Sequence, residues 1–298
     1  MRAQVGLLPD GRRLHLQDGP IDLVIEAFGG SAEIRAAYDA AISRFRTVLD
    51  ELCSELSFLR TRARAHTPMP KGTTAARMAL AVAPYAGRTF ITPMAAVAGA
   101  VAEEVLEAMT SAAQLSKAYV NDGGDIALHL EAGEQFVVGM IQRPDRPSLF
   151  GTATLHSNDR VRGIATSGWR GRSFSLGIAD AVSVLAQRAA NADAAATVVA
   201  NAVDLQEHPK IHRVPARSIC PDSDLGDLPV TQFVGELSAE DIKLALDQGA
   251  AAAERLRSEG LIHSAALHLQ GRTRIVTTNH EMACLVCPTQ MSRSLTHA

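Results

Sequence analysis

Apolar and polar positions alternate in short runs near both ends of the chain and recur every three or four residues between them. Gly6-Leu7-Leu8 and Arg13-Leu14-His15-Leu16-Gln17 flank Pro9-Asp10-Gly11, whose turn chemistry predicts a β-hairpin. Asp18-Gly19-Pro20 turns the chain again into a strand over residues 21–25. Ile34, Tyr38, Ile42, Phe45, Leu49, Leu52, Leu56 and Leu59 then form one apolar stripe. That period predicts a single long helix over residues 32–62, capped by Ser31 and lying on a sheet. A Pro-rich connection from His66 leads to a short helix at residues 74–82.

Residues 90–93 read as a strand ending at Pro93, which the first turn of a helix tolerates because its amide would be unpaired there. The helix from Met94 to Met109 is built of small residues, and Gly99 permits close backbone approach. Its free first-turn amides favour an anion; tight packing and anion binding are compatible readings here. Strands at 118–120 and 126–130 enclose Asn121-Asp122-Gly123-Gly124-Asp125, a hairpin turn. A strand at 135–142, a polar loop at 143–147 and a strand-like run from Val161 follow. That run enters Thr166-Ser167-Gly168 and leads towards an Ala-rich helix over residues 192–203. His208 and His212 fall in an irregular loop, where Pro209 argues against a helical zinc pair. Residues 222–227 read as a polar turn. Ser238 with Asp241 opens a helix in capping-box fashion, and Gly260 stops it. A hairpin about Gln270-Gly271 closes the pattern.

Strands in hairpins between long helices predict an α+β fold with a mostly antiparallel sheet covered by long helices. Each half carries strand, turn, strand and an Ala-rich helix, so one domain of two interleaved halves is expected over residues 1–287. Residues 288–298 are expected to be a disordered tail. With 298 residues, 47% of them hydrophobic and 20% charged, the chain can bury a large core. A net charge of −3 leaves no electrostatic footprint for nucleic acid or an anionic membrane, so any anion site must be local. No stretch has the length and apolarity of a membrane span, and the N-terminal residues lack the apolar core of a signal peptide. A cytoplasmic protein is expected. Cys284 and Cys287 form a lone Cys-x-x-Cys, read as reduced thiols.

The candidate chemistry gathers between Val161 and Asp204. Thr166 and Ser167 offer hydroxyls, and Gly168 lets backbone amides approach phosphate oxygens. In a strand, Arg170 and Arg172 share a face, with Trp169 on the other. Asp193 and Thr197 lie one helical turn apart and suit a hard cation such as Mg2+. The same pair also fits a helix start, with Asp favoured by the dipole and Thr back-bonding to the preceding turn. A serine nucleophile lacks the Gly-x-Ser-x-Gly elbow and an assignable His. His15, Asp22 and Asp125 are the acid–base groups left for another small-molecule chemistry.

Six stretches across residues 12–227 carry a family resemblance: RLHLQDGPIDLVIEA, FITPMAAVAGAVAEEVLEAM, YVNDGGDIALHL, RGIATSGWRGRSFSLGIADAV, ADAAATVVANAVDL and PDSDLGD. The chain resembles the ApbE-like superfamily of FAD:protein FMN transferases, and most closely a bacterial and archaeal branch of it. The resemblance implies a tandem T-fold-like architecture, Mg2+, and FAD or FMN as ligand or substrate. It further implies a flavoprotein or redox enzyme as partner, and tandem T-fold assemblies suggest a homodimer. By resemblance Asp193 and Thr197 are metal ligands. Gly123, Gly124, Asp125, Thr166, Ser167, Gly168, Arg170, Arg172 and Met94 would hold the flavin nucleotide. Ala98 stands where the family has a lysine, and Gly177-Ile178-Ala179-Asp180 runs directly into Ala181, without the family's His and Thr-Gly loop. Two functions are therefore expected, with no catalytic residue assigned. One is binding of FAD or a related nucleotide pyrophosphate with Mg2+, with hydrolysis or FMN transfer. The other is a non-catalytic flavin-binding or assembly partner of a redox enzyme.

Overall fold

A computed structural model describes residues 3–65, 68–141, 149–277 and 285–286. The chain opens with β1 (Gln4–Leu7), β2 (Leu14–Asp18) and β3 (Ile21–Phe28), then α1 (Ser31–Ser54), α2 (Leu56–Leu59) and α3 (Thr73–Val82). A 3-10 turn at Pro93–Ala96 leads into α4 (Val97–Ala112), followed by β4 (Lys117–Asp122) and β5 (Asp125–Leu130). Next come β6 (Gln135–Ile141), β7 (Leu149–His156), β8 (Gly163–Ser167), β9 (Ala181–Ala186) and α5 (Ala189–Ala202). The remainder is β10 (Ile211–Pro215), α6 (Ala216–Ile219), β11 (Pro229–Val234), α7 (Ala239–Ser258), β12 (Ser264–Leu269), β13 (Arg272–Val276) and β14 (Leu285–Val286).

Nine strands form one sheet in the order β1-β2-β3-β4-β5-β8-β9-β12-β13, and every neighbouring pair is antiparallel. The expected α+β class with a mostly antiparallel sheet is the one observed. Strand alternation gives the sheet two apolar faces. Ile25, Val120, Ala127, Ala165, Val184 and Leu267 share one core with helical residues such as Phe45, Val105 and Val199. Leu128, Ile164 and Leu185 point the other way and are covered by Ala153, Leu155, Phe136 and Val138 of β6 and β7. The ribbon β10–β11 stands apart as a separate two-stranded sheet.

Several expectations are corrected. The first long helix breaks at Glu55 (φ −113°, ψ 14°), whose carboxylate accepts the Lys71 and Gly72 amides at 2.6 and 3.0 Å. Gly30, not Ser31, is its N-cap, and no side chain caps it. Residues 90–92 are not in a strand. The irregular loop carrying His212 is strand β10, paired with β11. The polar loop at 143–147, the tail at 288–298 and the Cys284/Cys287 pair lie outside the described residues.

Between α1, α3 and α4 sits Glu104, 8% exposed. It accepts from Arg44 Nε at 2.9 Å, Arg77 Nε at 2.9 Å and Thr73 Oγ1 at 2.7 Å. Burial pushes its pKa up, but bonds from Thr73, Arg77 and Arg44 outweigh that and hold it below the usual glutamate value. Its charge therefore stabilises the fold above that usual value, and the contribution is lost as pH falls through the lowered one. Glu104→Ala is expected to cost about 2 kcal/mol in urea unfolding at pH 7, since Arg44 and Arg77 keep their other carboxylates. A change below about 0.5 kcal/mol would show the cluster to be solvent-compensated.

Candidate functional site

Helices α4 and α5 cross at their N-terminal ends, and the small residues there set the distance. A Cβ on Gly99 would lie 2.3 Å from the Ala189 carbonyl oxygen, so only glycine admits this crossing. Neither helix has a side-chain cap on its own preceding residue. Each borrows one from the other. Asp193 of α5 accepts the Gly99 amide at 3.0 Å, and Glu103 of α4 accepts the Ala190 amide at 2.9 Å. Both bonds satisfy first-turn N–H groups that a helix leaves unpaired, and both place negative charge at the positive end of a dipole. Arg188 holds the second Glu103 oxygen through Nε at 3.0 Å.

Asp193 does not stand alone. Asp122 and Asp125 face each other across the β4–β5 turn and, by alternation with Val120 and Ala127, point to the same helical side of the sheet. Asp125 accepts the Thr166 amide at 3.1 Å, which ties the β8 end to the Gly-Gly turn. Burial raises Asp125 well above the carboxylate range, and the charges of Asp193 and Asp122 add to it against Thr166 and Arg172. Burial likewise raises Asp193, opposed by the Gly99 and Ala98 amides. Asp122 is pushed up to about 7, chiefly by burial, with the Asp22 amide and Arg172 pulling it down. Burial and mutual repulsion thus hold three neighbouring carboxyls against ionisation. Thr197 lies one turn beyond Asp193 on α5, half-buried. Among the described residues no group of three or more His, Cys, Asp or Glu side chains is placed so that it could hold a metal ion.

The other side of the β4–β5 turn opens into a cavity of about 210 Å³ between the sheet and the β6–β7 hairpin. Gly123, Gly124 and Thr166 belong to its lining. The two sides thus meet at one strand end.

Arg170 and Arg172 do not share a strand face, because residues 168–176 form turns and bends between β8 and β9. Arg170 donates through Nε to buried Asp180 at 2.7 Å, and its guanidinium lies 4.2 Å from the Trp169 ring. Trp169 therefore covers Arg170 rather than facing away from it. Arg172 is exposed and lies over the Gly-Gly turn, where a Cβ on Gly123 would come 2.5 Å from its guanidinium. Gly168 is required by the chain itself, since its Cβ would meet the Asp180 carbonyl at 2.5 Å. Ser167 ends β8 half-buried. Met94 packs from the 3-10 turn against the helical core. His15 and Asp22 bond each other at 2.9 Å across β2 and β3. Sequence reasoning missed Asp122 and Glu103. Alternation within Tyr119–Asp122 was enough to place Asp122 beside Asp125, whereas nothing local marks Glu103.

The sequence model of a family described as AbpE bacteria matches residues 5–275. The chain belongs to this family. It is also similar to the UPF0280 protein of Methanopyrus kandleri, 34% identical over 182 residues that span 60% of this chain and 69% of that one. UPF0280 proteins of Methanothrix thermoacetophila and Methanosarcina acetivorans are 40% and 38% identical over 112 and 122 residues. Those matches cover 37% and 40% of this chain and slightly under half of each relative, 46% and 47%. Among solved structures, the apo flavinyl transferase ApbE of Pseudomonas stutzeri overlaps at 13% identity and a TM-score of 0.42, over 93% of this chain and 94% of that one. The flavin transferase ApbE of Vibrio cholerae overlaps at 12% identity and a TM-score of 0.39, over 93% and 98%. The match to the AbpE bacteria family, not these overlaps, decides the assignment. No helix among the described residues is long and apolar enough to cross a membrane.

Proposed function

We propose that this member of the AbpE bacteria family binds FAD or a related nucleotide pyrophosphate together with Mg2+. The observation that carries the proposal is Asp193 at the start of α4, beside Asp125 and Asp122, with Thr197 one turn on. The donor set fits the ion. Mg2+ binds through one or two carboxylates, keeps several waters and completes its shell with phosphate oxygens, so a closed protein cage is not needed. Asp193 and Thr197 would hold it, and bound there it would screen the charge of the pyrophosphate. The α4 amides not taken by Asp193, the Thr166–Gly168 turn and the Arg172 guanidinium would receive phosphate oxygens. Arg170 contributes indirectly, by fixing the turn through Asp180.

The attached chemistry is cleavage of the pyrophosphate P–O bond, with FMN passing to water or a protein hydroxyl and AMP leaving. A flavoprotein acceptor, a cytoplasmic setting and a homodimer belong to the same proposal. A second reading, a flavin-binding partner without turnover, is favoured by Ala98 and by Asp180. No lysine stands at the α4 start, and the Asp180 carboxylate is already taken by Arg170 and the Gln270 amide.

Calorimetric titration with FAD and Mg2+ tests the binding. Asp193→Asn keeps an oxygen for the Gly99 amide but removes the charge, so FAD·Mg2+ affinity is expected to fall about 100-fold with the fold intact, roughly 2.7 kcal/mol. Equal affinity of the two proteins would sink the metal assignment. Release of FMN and AMP on incubation separates turnover from simple carriage.

A further inference from the structure

We infer that the cleft between α4 and the start of β8 binds a small monocarboxylate with a short hydrocarbon body. The cleft lies at the other end of β8 from the Thr166–Gly168 turn, and the inference does not rest on the nucleotide proposal. It exists because two strands separate. β5 pairs with β8 only through Ile126↔Ile164 and Ala127↔Gly163, followed by one bond from the Leu128 amide to the Arg162 carbonyl at 2.9 Å. Beyond that bond β5 runs on beside β4 as far as Leu130, whereas β8 begins only at Gly163. The space left there measures about 270 Å³, below the about 300–1,000 Å³ that enclose drug-sized ligands. It takes a charged head and a few carbons.

Charge selects the head. Three arginines, Arg77, Arg162 and Arg188, and two glutamates, Glu103 and Glu107, belong to the lining. Both glutamates are already paired. Glu103 accepts from Arg188 Nε at 3.0 Å and Nη2 at 2.9 Å, and from Arg77 Nη1 at 3.3 Å. Glu107 accepts from Arg77 Nη2, and Glu104, behind Arg77, is shared with Arg44. Arg162 is the cation left over. Its Nη1 donates to the Asp159 and Val161 carbonyls, both at 2.6 Å, and its Nη2 to the Ser157 carbonyl at 2.7 Å. Among the described residues it has no carboxylate partner, and its Nε is not spent. Carbonyl oxygens fix a guanidinium in place without neutralising it, so a part-buried positive charge stands unopposed. His129, the remaining titratable group of the lining, donates through Nε2 to the Leu115 carbonyl at 3.1 Å and lies 3.6 Å from Glu131.

One carboxylate balances the one cation in excess. A dicarboxylate or a phosphate dianion would bring a second negative charge towards Glu103 and Glu107 with no cation left to meet it. Arg188, 52% exposed, keeps Nη1 for a further bond at the mouth of the cleft. Leu106 of α4 and Ala127 and Leu128 of β5 supply apolar walls, so a short hydrocarbon body leaves water as the head is bound.

The probes are butyrate, its neutral amide butyramide, and succinate, followed by ligand-observed NMR with the full chain. Arg162→Gln removes the unopposed charge. Thr110→Phe fills the cleft from α4 and leaves every arginine in place; circular dichroism checks the fold of both. Wild type is expected to bind butyrate in the millimolar range, at least tenfold more tightly than butyramide or succinate. Each variant is expected to lose at least tenfold in butyrate affinity. Should Arg162→Gln fail to fold, Thr110→Phe carries the test. Wild type that ignores butyrate, binds butyramide equally, or prefers succinate would overturn the inference, and so would a folded Thr110→Phe that binds butyrate undiminished.

Discussion

Gly99→Val is expected to destabilise the protein by about 4 kcal/mol, near the upper end for a single substitution. A Cβ at this position would lie 2.3 Å from the Ala189 oxygen, 2.5 Å from its carbonyl carbon and 2.7 Å from the Ala190 nitrogen. All three are backbone atoms, so no side-chain rotation relieves the overlap. The helices must separate, and separation lengthens both shared bonds, Gly99 to Asp193 and Ala190 to Glu103. Urea unfolding at pH 7 measures the loss, and FAD·Mg2+ affinity should drop with it. Gly6→Val is the control, since nothing lies within 4 Å of its Cβ and the change should stay within about 0.5 kcal/mol. A Gly99→Val midpoint equal to wild type would mean that the helix crossing is looser than described.

Asp122→Asn is expected to stabilise the ligand-free protein increasingly as pH rises from 3.8 to about 7, to keep that gain above it, and to do nothing in acid. Asp122 is 4% exposed, and burial carries its pKa from 3.8 up to about 7. Its unfolded counterpart ionises near the ordinary value, so between the two pH values the unfolded state holds fewer protons than the folded one. Stability then falls as pH rises through that window and stays reduced above it. The penalty amounts to roughly 4 kcal/mol at full ionisation. Asparagine keeps an oxygen to accept the Asp22 amide and removes the ionisation. Thermal unfolding from pH 3.5 to 8.5 should therefore show a wild-type decline that the variant lacks, with the curves meeting at the acid end. Parallel curves would contradict a buried, raised carboxyl. Under the proposed function, stability gained this way should come with weaker Mg2+-dependent binding, because the variant removes one of three neighbouring carboxylates.

Local chemistry made much of this fold readable. The Pro9-Asp10-Gly11 and Gln270-Gly271 turns sit between paired strands, and the latter pair has φ of 42° and 82°, the left-handed geometry of a tight hairpin. Ser238 and Asp241 form the full capping box at the start of α7. The centre of the sheet was less legible. All six residues of β9 are buried, since helices cover one face and the hairpin the other, so the alternation that betrays a half-exposed strand is missing. Strand β7 escaped notice although residues 151–156 alternate between buried and less buried positions; it belongs to the small sheet that packs on the outer face of the large one. His212 sits on a strand whose partner begins fourteen residues after β10 ends, and no short-range signal announces that pairing.

In the candidate site, residue types were legible and their relations were not. Asp193 and Thr197 stood out as an oxygen pair, and the Gly-Gly-Asp turn as a companion. That Asp193 holds the first turn of α4 depends on a contact spanning 94 residues. Asp122 looked like one more polar turn residue until its register opposite Asp125 gave it a direction. Arg170 and Arg172 looked equivalent by spacing, but the turn after β8 commits one to Asp180 and leaves the other over Gly123. Sequence spacing reports chemistry within an element. It is silent about which side chains are consumed by distant backbone.

The exchanged carboxylates also impose an order on synthesis. When α4 leaves the ribosome, the aspartate that will close its first turn lies 94 residues downstream. At translation rates of about 5–20 residues per second, α4 waits roughly 5 to 20 seconds for that partner. Glu103, by contrast, is already present when α5 emerges. The second half of the chain is thus born onto a waiting template, and the first half is finished only by its arrival.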